Sequence, residues 1–274
     1  MEINEKLENA IKNVRQKKPL VHHITNYVTV NDCANIVLAI GGSPVMADDA
    51  YEVEDIVSAA SALVINIGTL NKRTVESMMK AGKKANEIGI PVILDPVGAG
   101  ASKFRKNTAL NLINQIKFSI IRGNLAEIKT LSGMDSNTKG VDSEETESSD
   151  AKNIAKYLAQ KLNTVIAITG VIDYVSDGRK IFSLKNGNKM LSSVTGTGCM
   201  CTSLIGAYCG VSNNYLLAAA AGILTMSIAG EKAYENLSKD NSGSGSFRVN
   251  LINAVYNFSG MDFKKRGKIY EEQI

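Results

Sequence analysis

Along the chain, short apolar runs alternate with longer stretches in which apolar positions recur every three or four residues. ALVINIG (62–68), IPVILDPVG (90–98), SIIRG (119–123) and TVIAITG (164–170) are brief, rich in Val and Ile, and closed by Gly, Pro or Asn. Those lengths and flanks predict buried strands. Residues 72–88 carry helical periodicity, stopped by Gly89 and Pro91, and 105–115, the stretch opening at Leu125 and 151–162 read the same way. The N-terminal region predicts a helix, a loop over HHITNYVTVND (22–32) and a helix at 33–40 that Gly41-Gly42 ends. SPVMADDAYEVEDIVSAAS (43–61) ends in a helical pattern. DYVSDGRKIFSL (173–184) sets two strand-like arms around Asp177-Gly178, a strong hairpin signal. The acidic stretch 132–150 predicts a surface loop. From Thr197 onward the pattern is mainly helical, with one Gly/Ser loop at 241–246 before a last helix.

Strands alternating with helices predict a largely parallel sheet covered on both faces, and the late hairpin adds antiparallel strands at an edge. With no internal repeat and no linker, residues 1–274 are expected to form one α/β domain.

Composition narrows the classes of function. The chain is 44% hydrophobic and 21% charged, with a net charge of +4 spread among both signs and no accompanying aromatic run, which argues against a nucleic-acid partner. The first residues are charged and amphipathic, unlike a secretory signal. No uninterrupted apolar run reaches the ~18 residues of a membrane span. The apolar stretch 215–229 suits a buried helix, and a cytoplasmic protein with no membrane partner is expected. Cysteines at 33, 199, 201 and 209 lack paired C-x-x-C spacing, and the two histidines, 22 and 23, lie far from three of them. Neither a disulfide framework nor a zinc site is expected. Cys33, Cys201 and Cys209 read as packing residues, and His22 and His23 as structural.

Ligands of parallel α/β sheets bind beyond the carboxyl ends of the strands. Asn66, Gly68, Asp95, Arg122, Asn124, Thr169-Gly170 and the loop TGTGC (195–199) all fall at such ends. In VTGTGCMCTS (194–203), Gly196 and Gly198 form a turn that lets a ligand approach the backbone. The helix opening there offers N–H groups with no helical partners, which favour an anion. Asn124-Leu-Ala-Glu127 fits a capping box, while Arg122 beside it suits phosphate oxygens and Glu127 suits hydrated Mg²⁺. Asp95 reads equally as a turn cap before Pro96 or as a group that positions Mg²⁺ or phosphate. Met46 reads as core filler or pocket wall. The chain has no Walker A motif, no G-x-G-x-x-G after a first strand and no HRD–DFG pair. A phosphate transferase would need another scaffold.

Five stretches supply one: residues 19–56 (PLVHHITNYVTVNDCANIVLAIGGSPVMADDAYEVEDI), VILDPVGAGAS (92–102), IIRGNLAEI (120–128), AITGVIDYVSDG (167–178) and VTGTGCMCTSLIGAY (194–208). In order and in nearly full length they resemble the hydroxyethylthiazole kinase family of thiamine salvage, a branch of the ribokinase-like superfamily. The resemblance implies a ribokinase-like three-layer sandwich and transfer of phosphate from ATP, with Mg²⁺, to the primary alcohol of 4-methyl-5-(2-hydroxyethyl)thiazole. It implies that Met46 and Gly196 contact the thiazole with Asn26 near, and that Arg122 and Thr169, with Asn124 beside them, bind ATP. Asp95 and Glu127 then belong to the Mg²⁺–phosphate arrangement, and the turn 196–199 to the anion hole, with Gly196, Gly198 and Cys199 as its catalytic set. A homotrimer with pockets at subunit interfaces is the expected assembly. Most of the superfamily has a presumed aspartate base where this chain has Cys199; a thiol at a helix start is expected to titrate below its free value, and its role to be modest, since phosphoryl transfer asks mainly for positioning. Competing readings are a hydroxymethylpyrimidine or pyridoxal kinase, an ATP-dependent NAD(P)H-hydrate dehydratase, and a non-catalytic binder. Cys199 and the 19–56 stretch argue against the first two, and the retained carboxylates, Arg122 and glycine turn argue against the third.

Overall fold

The computed structural model describes residues 2–133, 144–237 and 242–273. The first helix, α1 (Ile3–Lys17), buries one stripe of Leu7, Ala10, Ile11 and Val14. Two strands then flank α2 (Val30–Ile40): β1 (Leu20–Ile24) and β2 (Ser43–Met46). Both depart from the sequence reading, which has 22–32 as a loop and no strand in 43–61. Two histidines interrupt the apolar run of β1, yet both are buried and bonded. His22 Nε2 lies 2.8 Å from the Ala47 carbonyl, and His23 Nδ1 lies 3.0 Å from that of Val21. Their structural reading holds.

The middle of the chain alternates as the pattern predicts: α3 (Val53–Ala59), β3 (Ala62–Asn66), α4 (Lys72–Ile88), β4 (Val92–Asp95), α5 (Lys103–Gln115), β5 (Ile120–Asn124), α6 (Leu125–Ser132), α7 (Glu144–Leu162) and β6 (Val165–Thr169). The segment 132–150 is not one loop: α6 ends at Ser132 and α7 already runs from Glu144, while 134–143 lie outside the described residues. The hairpin forms as β7 (Asp173–Ser176) and β8 (Lys180–Leu184). After a 3-10 turn at Lys189–Ser193 come α8 (Thr197–Cys209), α9 (Tyr215–Glu235), α10 (Ser244–Tyr256) and α11 (Gly260–Arg266). A last strand, β9 (Ile269–Gln273), corrects the mainly helical reading of the C-terminal third. Its IYEEQ has too few apolar positions to show a period, and pairing with β8 decides its state.

Among the described residues nine strands form one sheet in the order β2-β1-β3-β4-β5-β6-β7-β8-β9, parallel from β2 to β6 and antiparallel beyond. Alternate residues of each central strand feed two separate cores, which makes three layers. Val21, Val64, Ile93 and Ile120 meet α1, α2, α8, α9 and α10 on one face. Leu63, Ile65, Leu94 and Ile121 meet α3 to α7 on the other. Helix α9 is long and apolar enough to cross a membrane, yet 83% of its most apolar window is buried inside the protein, so it serves as a core helix.

Candidate functional site

Parallel pairing brings the strand ends together. Asn66 stands opposite Asp95, and Asn124 opposite Thr169. Arg105, from α5, ties the following loops down by donating to the carbonyls of Ile67 (2.6 Å), Val97 (2.8 Å) and Gly68 (2.6 Å). At Gly68 a Cβ would come within 2.8 Å of Asn26, so the glycine makes room for the Asn26 carboxamide.

That carboxamide opens a buried polar cluster. Asn26 Nδ2 donates to Asn66 Oδ1 (3.0 Å) and to Cys199 Sγ (3.3 Å), while its Oδ1 accepts from the Thr29 N–H (3.1 Å) and hydroxyl (3.0 Å). Asn66 Nδ2 donates to Asp95 Oδ2 (3.1 Å) and to Cys199 Sγ (3.2 Å), and the Thr202 hydroxyl donates to the same carboxylate oxygen (2.8 Å). Asp95 Oδ1 is buried and has no hydrogen-bond partner. Burial pushes the Asp95 carboxyl up to about 6, against the pull of Arg122. Burial also raises the Cys199 thiol, with the charge of Asp95 adding to the rise. This corrects the lowered value expected at a helix start: desolvation outweighs the helix end, and the sulfur is held as a thiol.

Helix α8 begins at this cluster. Its N-cap, Gly196, has φ +81° and no side-chain cap, and a Cβ there would approach Thr29 Cγ2 to 2.3 Å. A Cβ on Gly198 would meet Arg122 Nη1 at 2.6 Å, so the guanidinium lies directly on the glycine turn. Arg122 Nη2 donates to the Thr169 hydroxyl (2.5 Å), Nη1 is 3.9 Å from Asp95 Oδ2, and Nε is buried without a partner. The capping box at α6 is formed: Asn124 Oδ1 accepts from the Glu127 N–H (2.9 Å), and Glu127 Oε2 accepts from that of Asn124 (2.8 Å). Glu127 Oε1 accepts from the Gly98 N–H (2.8 Å), joining the loop after β4 to α6.

A cleft of about 520 Å³ opens on one side of this helix start, lined by Arg122, Thr169, Thr197, Gly198, Met226 and the turn at Lys189–Ser193. Asn26, Asn66, Asp95 and Cys199 lie outside its lining. The first turn of α8 therefore separates an open cleft from a buried polar cluster and faces both. Met46, half-buried at the end of the edge strand β2 and in register with His23, makes no hydrogen bond to the cluster. The exposed Asn124 uses its Oδ1 in the cap. Three participants escape the sequence reading: Thr29, Thr202 and Asp173. Thr202 stands one helical turn after Cys199, a spacing that marks a shared face.

Asp173 lies on the cleft wall, 5% exposed, and its Oδ1 accepts from the Gly170 N–H (2.9 Å). Burial pushes this carboxyl up to about 7. A carboxyl raised in the fold binds a proton that the unfolded chain releases. Its stabilising contribution is whole below the ordinary carboxylate range and is lost as pH rises through about 7. Urea unfolding is expected to show Asp173→Asn gaining stability relative to the parent chain between about pH 5 and about pH 8; an unchanged difference would contradict the burial described.

The model of the hydroxyethylthiazole kinase family matches residues 11–260. A hydroxyethylthiazole kinase of Clostridium tetani is 56% identical, over 98% of this chain and 99% of its own length. Among solved structures, the hydroxyethylthiazole kinase protein of Pyrococcus horikoshii superposes with a TM-score of 0.89 at 40% identity, covering 98% of this chain and 100% of that one. A ribokinase-like superfamily protein of Enterococcus faecalis gives 0.61 at 13% identity, over 94% and 95% of the two chains, a likeness of fold alone.

Proposed function

The chain belongs to the hydroxyethylthiazole kinase family, and from that premise we infer that it transfers the terminal phosphoryl group of ATP to the primary alcohol of 4-methyl-5-(2-hydroxyethyl)thiazole, a step of thiamine salvage. It is a phosphotransferase with an alcohol acceptor on a ribokinase-like fold, which residues 1–274 build as one domain. The observation that carries the finer reading is the position of the α8 start between cleft and polar cluster. ATP occupies the cleft, with Arg122 and Thr169 on its phosphates and Asn124 beside them, opposite Thr169. The alcohol reaches the other side, toward Cys199, with Asn26, Gly196 and Met46 at the thiazole.

Phosphoryl transfer through a loose transition state asks for alignment and for stabilised charge on the equatorial oxygens. The open N–H groups of the Gly196–Gly198 turn and the Arg122 guanidinium meet that demand from two directions. Arg122 is preorganised by Thr169 and does not need to reorient. Magnesium fits the carboxylates here: Asp95 presents a buried oxygen without a donor, and Glu127 is fixed by the Gly98 N–H in the loop that follows Asp95. Among the described residues no group of three or more His, Cys, Asp or Glu is gathered for a metal, which suits an ion held by one or two carboxylates with phosphate oxygens and water. Such an ion supplies neutralising charge on the phosphates. Asp95 is kept in place by Asn66 and Thr202.

Cys199 accepts two N–H donors at its sulfur and remains a thiol, which suits orienting the alcohol hydroxyl rather than removing its proton. Single-turnover rates of Cys199→Ser and Cys199→Ala are expected to fall by less than the ~100-fold at which general-base catalysis begins. A larger loss in both would make the sulfur essential.

A homotrimer is part of the proposal. β2 is an edge strand, and Tyr27, Val28 and Tyr51 are largely exposed in the loops around it and Met46, an apolar surface suited to a second chain. Sedimentation at the mass of one chain in a fully active sample would contradict it. The four unpaired thiols support a reducing, cytoplasmic setting. The reaction itself is tested by ADP release with a panel of alcohols. Hydroxyethylthiazole is expected to support turnover well above hydroxymethylpyrimidine and pyridoxal, and a reversed order would overturn the assignment.

A further inference from the structure

We propose that Asp173 is a positioning residue for the phosphoryl donor: its carboxylate holds the turn between β6 and β7, and through that turn it sets the Arg122 guanidinium. The proposal rests on the reading of the cleft as the ATP site. A buried carboxylate on the wall of a cleft for a polyanion works against binding unless it organises donors. Asp173 is buried on that wall, and its Oδ1 accepts from the Gly170 N–H at 2.9 Å. This bond closes the turn that begins at Thr169. The Thr169 hydroxyl accepts from Arg122 Nη2 at 2.5 Å and donates to the Gly123 carbonyl at 3.5 Å. Arg122 Nη1 lies 3.9 Å from Asp95 Oδ2, and Arg122 and Asp173 line the same cleft. Ser227, from α9, lines the same cleft beside Asp173. A carboxylate here orders the backbone that orders the arginine, without touching the phosphates.

The experiment titrates ADP with magnesium onto the full chain and its variants, then measures KM for ATP and for hydroxyethylthiazole separately. Asp173→Ala is expected to weaken ADP binding and raise the KM for ATP by about tenfold, less than the ~100-fold that a 1 Å displacement at the reacting atoms costs. KM for the thiazole is expected to stay near its parent value. Asp173→Asn keeps an oxygen for the Gly170 N–H and is expected to recover most of the loss. Adding Thr169→Ala to Asp173→Ala is expected to cost less than the sum of the single changes, because both act through one chain of contacts. If the alanine variant does not fold, Asp173→Ser replaces it: the hydroxyl is polar but falls short of Gly170, and the same rise in KM for ATP is expected. A folded Ala or Ser variant with the parent affinity for ADP, or with both KM values raised alike, would overturn the role of Asp173. A parent chain that binds no ADP would overturn the reading of the cleft, and this role with it.

Discussion

Gly196→Ala is expected to lower kcat/KM by about 100-fold, the scale of a 1 Å misplacement at a reacting centre, and to destabilise the fold by ~1–3 kcal/mol. Two independent constraints converge on this position. Its φ of +81° is left-handed, a conformation that a Cβ makes costly. The added carbon would also lie 2.3 Å from Thr29 Cγ2. Thr29 holds the Asn26 carboxamide through its hydroxyl and N–H, and Asn26 in turn reaches Cys199. Relief of the clash therefore moves either the anion turn or the polar cluster. Steady-state kinetics beside thermal melting checks both effects, and a well-folded variant within about threefold of the parent kcat/KM would contradict them.

Arg122→Ala is expected to lower kcat/KM for ATP by about 10²–10³-fold, as loss of a preorganised donor does elsewhere, with KM for the alcohol little changed. The guanidinium touches Thr169, rests on Gly198 and faces Asp95. Its removal takes away a cation in the cleft and leaves the Asp95 carboxyl, already pushed up by burial, without the charge that holds it down. Arg122→Lys is expected to recover only part, because an ammonium lacks the planar fork that meets Thr169 and a phosphate together. Gly198→Ala should show a milder version of the same defect, since its methyl would press on Nη1. The check is a set of initial rates with each substrate varied in turn. Equal damage to both KM values would place Arg122 outside the donor side.

Much of this edge is legible in the sequence for a plain reason. Parallel strands carry their termini to one side, so Asn66, Asp95, Arg122 and Thr169 could be gathered from separate runs by topology alone. The capping signal at Asn124 and Glu127 is local and forms as read. What escapes depends on long-range pairing. β1 is hidden by two histidines that find carbonyl partners only in the folded sheet, and β9 by a polar sequence that β8 recruits. The thiol of Cys199 is misjudged from its helix position because its burial comes from other segments. Thr29 and Asp173 show their use only once Gly196 and Arg122 are in place, since neither carries a motif of its own.

The most direct test of the central claim is a ³¹P NMR time course with the purified chain, ATP, magnesium and 4-methyl-5-(2-hydroxyethyl)thiazole. The expected result is a phosphomonoester on the thiazole alcohol, growing in step with ADP and absent when the thiazole is omitted. Release of inorganic phosphate alone, or no conversion of ATP in the presence of the thiazole, would contradict it.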